Sequence, residues 1–153
     1  MGREEACSFT GHRNIQDPAG LSRRLEEAIR EQMAQGIRLF CCGGALGFDT
    51  LAAQTVLRLR QRHPEISLVL VLPCQDQADR WGPEDRAVYE SIKRQADQVI
   101  YTEQWYQPGC MYKRNRYLVD HTSRLISYLR RPTGGTAYTV GYAEKQGVPV
   151  IPL

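Results

Sequence analysis

The chain has 153 residues, of which 42% are hydrophobic and 24% charged. That composition describes one globular domain spanning residues 1–153 rather than a disordered chain. No apolar run approaches the roughly 20 residues of a membrane span, the start lacks the apolar stretch of a secretory signal, and a formal net charge of +3 is too small to mark a nucleic-acid binder by itself.

Short apolar runs alternate with amphipathic stretches along the whole length. The first run is Ala6 to Phe9, followed by a helical face of Leu21, Leu25, Ala28, Ile29 and Met33, with Gly36 as a stop. A second run, Ile37 to Cys42, leads to Leu51, Ala52, Val56 and Leu59, ended by Pro64. A third run covers Ser67 to Leu72, and the irregular stretch from Pro73 to Gly82 precedes a helical pattern over 83–96. Gln98 to Tyr101, a helical pattern over 111–121, Leu125 to Leu129, a helical pattern over 137–146 and Val148 to Ile151 complete the chain. Near-continuous apolar runs suit strands covered on both faces. The alternation predicts an α/β, three-layer domain with a mostly parallel sheet of about six strands and helices on both faces.

Such folds bind ligands at the carboxyl ends of their strands, so the residues following each strand matter most. After the first come Thr10, Gly11, His12 and Arg13, a tight turn that carries a forked cation suited to phosphate. After the second come Gly43, Gly44, Ala45, Leu46, Gly47, Phe48 and Asp49, running straight into a helix. Three glycines there fit a loop whose backbone N–H groups face an anion at the helix N-terminus. Asp49 would repel a phosphate, and is expected to cap the helix or bond a ribose hydroxyl. After the fifth strand, Thr133, Gly134, Gly135 and Thr136 repeat the same device. The fourth helix opens with Lys113, Arg114, Asn115 and Arg116. Cations in a first turn oppose the helix dipole, so Arg114 is expected to serve an anionic ligand. Trp81, Trp105 and Tyr106 lie in post-strand loops and are candidates to stack on a base.

Of the three histidines, only His12 stands where chemistry could occur, and a structural hydrogen bond is the expected role; His63 and His121 fall at helix ends. The five cysteines form no Cys-x-x-Cys pair and have no His at zinc-ligand spacing. They read as small buried hydrophobes in a reducing, cytoplasmic setting. No metal site and no required cofactor is expected.

Several of these segments together resemble the SLOG superfamily, most closely its YpsA-like branch. The residues that carry the resemblance are Phe9-Thr10-Gly11-His12-Arg13, the run Gly43 to Asp49, then Pro73, Gln77 and Trp81 at their spacing. Asn115 to Asp120, Thr133 to Thr136 and the Gly-Val-Pro-Val ending complete it. The resemblance implies a Rossmann-like fold binding nucleotide-derived ligands, and adds Gln77 and Asn115 to the expected site. Members are linked to ADP-ribose-like molecules, cytokinin ribotides or single-stranded DNA, as in the more distant DNA-processing protein A group. The phosphoribohydrolase relatives of the LOG group carry a Glu where this chain has Thr139, and Thr cannot supply a carboxylate. Analogy also implies a homodimer through helices.

Three functions compete. The first is binding of a phosphate-bearing nucleotide as a sensor. The second is hydrolysis of N-glycosidic or phosphate bonds, for which Asp49, Asp120 or Glu144 would have to serve as acid or base. The third, single-stranded DNA binding, is disfavoured by the modest charge.

Overall fold

The computed structural model describes residues 2–153. Five helices alternate with six strands: β1 (Ala6–Gly11), α1 (Pro18–Ala34), β2 (Leu39–Cys42), α2 (Phe48–Arg60), β3 (Ser67–Leu72), α3 (Pro83–Gln95), β4 (Gln98–Tyr101), α4 (Cys110–Asp120), β5 (Arg124–Tyr128), α5 (Gly135–Lys145) and β6 (Val150–Pro152). All strand pairs are parallel, in the order β4-β3-β2-β1-β5-β6. The order reverses between β1 and β5, which opens a crevice at their carboxyl ends. Contacts place α1, α2 and α3 on one face and α4 and α5 on the other, so the fold is the expected three-layer α/β sandwich. No helix among the described residues is long and apolar enough to cross a membrane.

Residue alternation explains why each strand is double-sided. Phe9, Phe40, Leu70, Ile126 and Tyr128 join the core under α1 to α3. Ala6, Cys41, Val69 and Val71 face the other way, with Leu118 of α4. β1, β2, β3 and β5 are buried along nearly their whole length, but β4 and β6 are only half-covered. The expectation that every apolar run is covered on both faces fails at these two, because they are the sheet edges. All five cysteines are buried, and none is in a disulfide.

The third helix starts at Pro83 as expected, while α4 and α5 start one and two residues earlier than their patterns imply. α1 begins at Pro18, which suits a first helical position, and Asp17 accepts a hydrogen bond from the Gly20 N–H at 3.2 Å. α2 begins at Phe48, directly out of the glycine loop, and the Phe48 side chain is fully buried beneath the crevice. Its ring lies 6.4 Å from that of Phe9 and stacks on Tyr128 at 5.9 Å. The Tyr128 hydroxyl accepts from the Gln16 N–H at 3.1 Å, fixing the loop after β1. On the opposite face Ser8 and Thr122 join hydroxyls at 2.9 Å, and Thr122 donates to the Leu118 carbonyl, so α4 ends tight against β1.

Phe48 therefore supports the floor of the crevice. Phe48→Ala is expected to cost about 3–5 kcal/mol in urea-induced unfolding; a loss under about 1 kcal/mol would contradict that role.

Candidate functional site

A cleft of about 360 Å³ opens at the point where strand order reverses. Its lining comes from the end of β1 and the residues after it (Thr10 to Arg13), from Ala45, Leu46 and Asp49 after β2, Gln77 and Trp81 after β3, Arg131, Gly135 and Thr136 after β5, and one face of α4. Met111, Arg114, Asn115 and Leu118 share that face because they recur at helical spacing.

The glycine loop after β2 is packed from three sides. The Arg114 guanidinium, 5% exposed, reaches over from α4 and donates to the Gly43 carbonyl, while its Nε donates to Asn115 Oδ1 at 2.8 Å. A Cβ on Gly43 would stand 2.9 Å from both Arg114 Nη1 and Asp49 Oδ2, so only glycine leaves room for the two charges. Gln77 Nε2 donates to the Gly44 carbonyl at 2.9 Å. Gly47 has φ +84°, and its Cα lies against the Arg13 backbone so closely that any side chain would collide. The Phe48 N–H closes the joint by donating to the His12 carbonyl at 3.1 Å.

Asp49 does not cap α2 in the usual sense. It sits in the first turn, is buried, and accepts from the Ala45 N–H at 3.1 Å, inside the loop. Burial pushes its carboxyl above the ordinary range, against the pull of Arg114 and that amide. It is the single carboxylate among the described residues that line the cleft. The N–H groups of Ala45 and Phe48 are thus engaged within the protein, and this loop offers an anion less than its glycine count implies.

The loop after β5 differs. Gly134 caps α5 with no side-chain hydrogen bond, and a Cβ there would meet no protein atom within 4 Å. Opposite lies His12, 6% exposed, with its ring edge-on to Tyr128 at 5.8 Å. His12 Nε2 accepts from the Arg130 backbone N–H at 2.7 Å. A backbone N–H can only donate, so Nε2 carries the lone pair and the neutral ring holds its proton on Nδ1. Yet Nδ1 faces Arg131 Nη2 at 3.3 Å, donor against donor. Burial, then the Arg131 and Arg130 charges, hold the imidazole below its ordinary value of 6.5. Among the described residues neither Arg13 nor Arg131 has an acidic partner.

Residues 12–147 match the model of the YspA SLOG family. The chain belongs to that family. It is 30% identical over 129 residues to a UPF0398 protein of Halalkalibacterium halodurans, covering 82% of this chain and 68% of that one. It is 29% identical over 118 residues to the SPbeta prophage-derived protein YoqJ of Bacillus subtilis, covering 69% of each. In fold it is similar to DNA processing protein A of Helicobacter pylori (TM-score 0.71, 18% identity, 98% of this chain) and of Streptococcus pneumoniae (TM-score 0.72, 17% identity, 99% of this chain). The chain spans 65% and 50% of the length of those two chains.

Within this SLOG fold the cleft gathers Thr10, Gly11, His12, Arg13, Ala45, Asp49, Gln77, Trp81, Arg114, Asn115, Gly135 and Thr136. Gly43, Gly44 and Gly47 lie behind its wall and shape it, and Thr133 and Gly134 lie outside the lining. Asp120 and Glu144 are corrections: both are exposed near the far, C-terminal ends of α4 and α5, where Asp120 accepts from the Tyr142 hydroxyl at 2.7 Å. Parallel strands force this, since helices that start at the cleft end away from it. Trp105 and Tyr106 are 55% and 60% exposed and do not line it. Thr139 is buried and donates to the Gly135 carbonyl at 2.7 Å. Arg131 was not foreseen as a site residue; the signal was a second cation beside Arg130 just ahead of the glycine loop.

Two expectations follow. Because His12 titrates lower in the folded state than its ordinary 6.5, its protonation favours unfolding. Its contribution is full above that value and is lost as pH falls below it. Wild type should therefore lose more stability between about pH 7.5 and about pH 5 than His12→Gln, read by urea unfolding; equal losses would contradict the assignment. Arg114→Met leaves the Gly43 carbonyl and the Asp49 carboxylate facing no cation, and should cost about 3 kcal/mol or more. Adding Asp49→Leu should recover part of that loss in the same assay.

Proposed function

We propose that this cleft binds the phosphate of a nucleotide-derived ligand, of the ADP-ribose, NAD-derived or nucleoside monophosphate type, and that the protein acts as a cytoplasmic sensor of it. The observation that carries the reading is the apposition of two donors, His12 Nδ1–H and Arg131 Nη2, 3.3 Å apart beside the uncapped N-terminus of α5. An acceptor between them converts a repulsive contact into two charge-assisted hydrogen bonds. A phosphate does this best, because it also meets the positive end of the helix dipole and the unpaired Arg13. Thr136, buried at the same helix start, adds a hydroxyl.

Binding is favoured over hydrolysis by the acids at hand. Asp49 is tied to the Ala45 amide, and Thr139 stands in α5 with its hydroxyl bonded to the Gly135 carbonyl. Cleavage of an N-glycosidic bond by a carboxylate pair asks for two free carboxyls about the bond. Single-stranded DNA presents the same phosphates, and the Helicobacter pylori protein of similar fold has a single-stranded DNA binding mode. It is the competing ligand to test.

Thermal-shift titrations with adenosine monophosphate, ribose phosphate, adenosine and a short oligothymidylate separate these readings. Adenosine monophosphate and ribose phosphate should raise the melting temperature and adenosine should not; a ligand at about 100 times its dissociation constant adds about 2.7 kcal/mol. Arg131→Ala should weaken both phosphorylated ligands about tenfold or more. Equal effects of adenosine and its monophosphate would sink the phosphate reading. Preference for the oligonucleotide, with affinity falling steeply with salt, would replace it by DNA binding.

A further inference from the structure

The cleft does not end at Arg13. A second cavity of about 370 Å³ opens beside it between α2 and α3, and the two share Arg13, Leu46 and Trp81 as a common wall. The chain itself runs from one to the other: His12 lines the cleft, Arg13 lines both, and Asn14 lines the second cavity. Two residue steps cover at most about 7 Å, a gap that two linked phosphates bridge. The backbone at the joint is pinned, because the Phe48 N–H holds the His12 carbonyl and Gly47 packs against the Arg13 backbone. The Trp81 indole on the shared wall is held edge-on by the Tyr89 ring, with centroids 5.1 Å apart. Gln77 Oε1 and the Tyr89 hydroxyl are buried without partners and present essentially no surface to either cavity, so neither selects a ligand. The groups that do face the second cavity are Asn14, Gln54 and Asp85, all exposed and none hydrogen-bonded through its side chain to another described residue.

We infer that the ligand carries an organic group on each side of its phosphates: a nucleoside end in the cleft, a diphosphate across Arg13, and a second, hydroxyl-bearing sugar in the cavity between α2 and α3. The inference rests on the phosphate reading above, because the phosphate anchors the ligand beside His12. A monophosphate fills the cleft alone and leaves the second cavity to water. Arg13 stands at the joint, exposed and without an acidic partner, where its fork meets bridging phosphate oxygens. Beyond it the chemistry changes sign. Asp85 accepts hydrogen bonds from hydroxyls and repels a further anion, and the amides of Asn14 and Gln54 both donate and accept. A carboxylate set against a sugar diol is the usual way an α/β fold holds a ribose. The second cavity therefore takes an uncharged sugar and rejects a terminal phosphate.

Isothermal titration of adenosine monophosphate, adenosine diphosphate, ADP-ribose and a thymidine dinucleotide into wild type, Asp85→Ala and Val88→Trp tests this. Val88 lines the second cavity from α3, so a tryptophan there fills it. In wild type, ADP-ribose should bind about tenfold or more tightly than either adenosine monophosphate or adenosine diphosphate. Each variant should weaken ADP-ribose about tenfold, while adenosine monophosphate binds as in wild type, which also reports an intact fold. Equal binding of ADP-ribose and adenosine monophosphate by wild type overturns the second subsite and leaves the phosphate reading standing. A gain for adenosine diphosphate as large as that for ADP-ribose assigns it to the added phosphate and overturns the sugar. A gain as large for the thymidine dinucleotide, which has no sugar diol, overturns the sugar in favour of a nucleic-acid strand. Unchanged ADP-ribose affinity in either variant, or equal losses of ADP-ribose and adenosine monophosphate, likewise overturns the proposal. Absence of binding by every adenine nucleotide in wild type removes the phosphate reading and this inference with it.

Discussion

The cleft depends on one buried guanidinium. Arg114 leaves α4 on one side of the sheet and ends on the carbonyl of Gly43, at the carboxyl end of β2. It ties a helix of one layer to a loop that opens a helix of the other. Removing a charge from water is costly unless it is paired and hydrogen-bonded. Here the Gly43 carbonyl, Asn115 and the facing charge of Asp49 supply that compensation. Asp49 in turn holds the Ala45 amide, and the loop carrying them abuts Arg13 and His12 through Gly47 and Phe48. The loops after β1 and β2 are thus coupled to each other and to that buried guanidinium.

That chain of dependence changes the meaning of the glycines. Read as sequence, the glycines at 43, 44 and 47 between a strand and a helix suggest bare amides for an anion. In the fold, Gly43 is small because two charged side chains pass it, and Gly47 because the Arg13 backbone lies against it. The loop after β5 looked like a repeat of the same device, yet it is the one whose N-cap glycine meets no neighbouring atom and whose helix has no acidic residue in its first turn. Two loops of similar composition therefore do different work. One is internal scaffolding, and the other leaves a helix dipole uncompensated.

Much of the fold was legible because its signals are local. The alternation of apolar runs with helical faces carries the six strands and five helices, and Gly36 and Gly147 mark helix ends. The edges were not legible: Gln98 to Tyr101 is as apolar as an inner strand, and only pairing order leaves it half-covered. In the site, the post-strand rule found Thr10 to Arg13, Ala45, Asp49, Gly135 and Thr136 because a parallel sheet gathers those positions by construction. It could not find that Asp120 and Glu144 point to the other end, since that follows from helix direction and length. Nor could it assign the His12 proton. That assignment needs the Arg130 amide, 118 positions away in the chain, to stand 2.7 Å from Nε2.

The same assignment explains how binding could be felt by the protein. His12 is buried and packed on Tyr128, which stacks on Phe48 in the core. Its Nδ1–H and the exposed Arg131 guanidinium face each other, donor against donor, where the loops after β1 and β5 meet. An acceptor between them reverses the sign of that contact. Differential interaction of this kind is what lets a ligand shift a conformational equilibrium, and tight binding alone does not. The contact joins loops on the two sides of the strand reversal, β1 and β5, whose pairing is the seam between the sheet's two halves. A ligand that bridges it would stiffen that seam, giving a small domain a way to report occupancy without any chemical step.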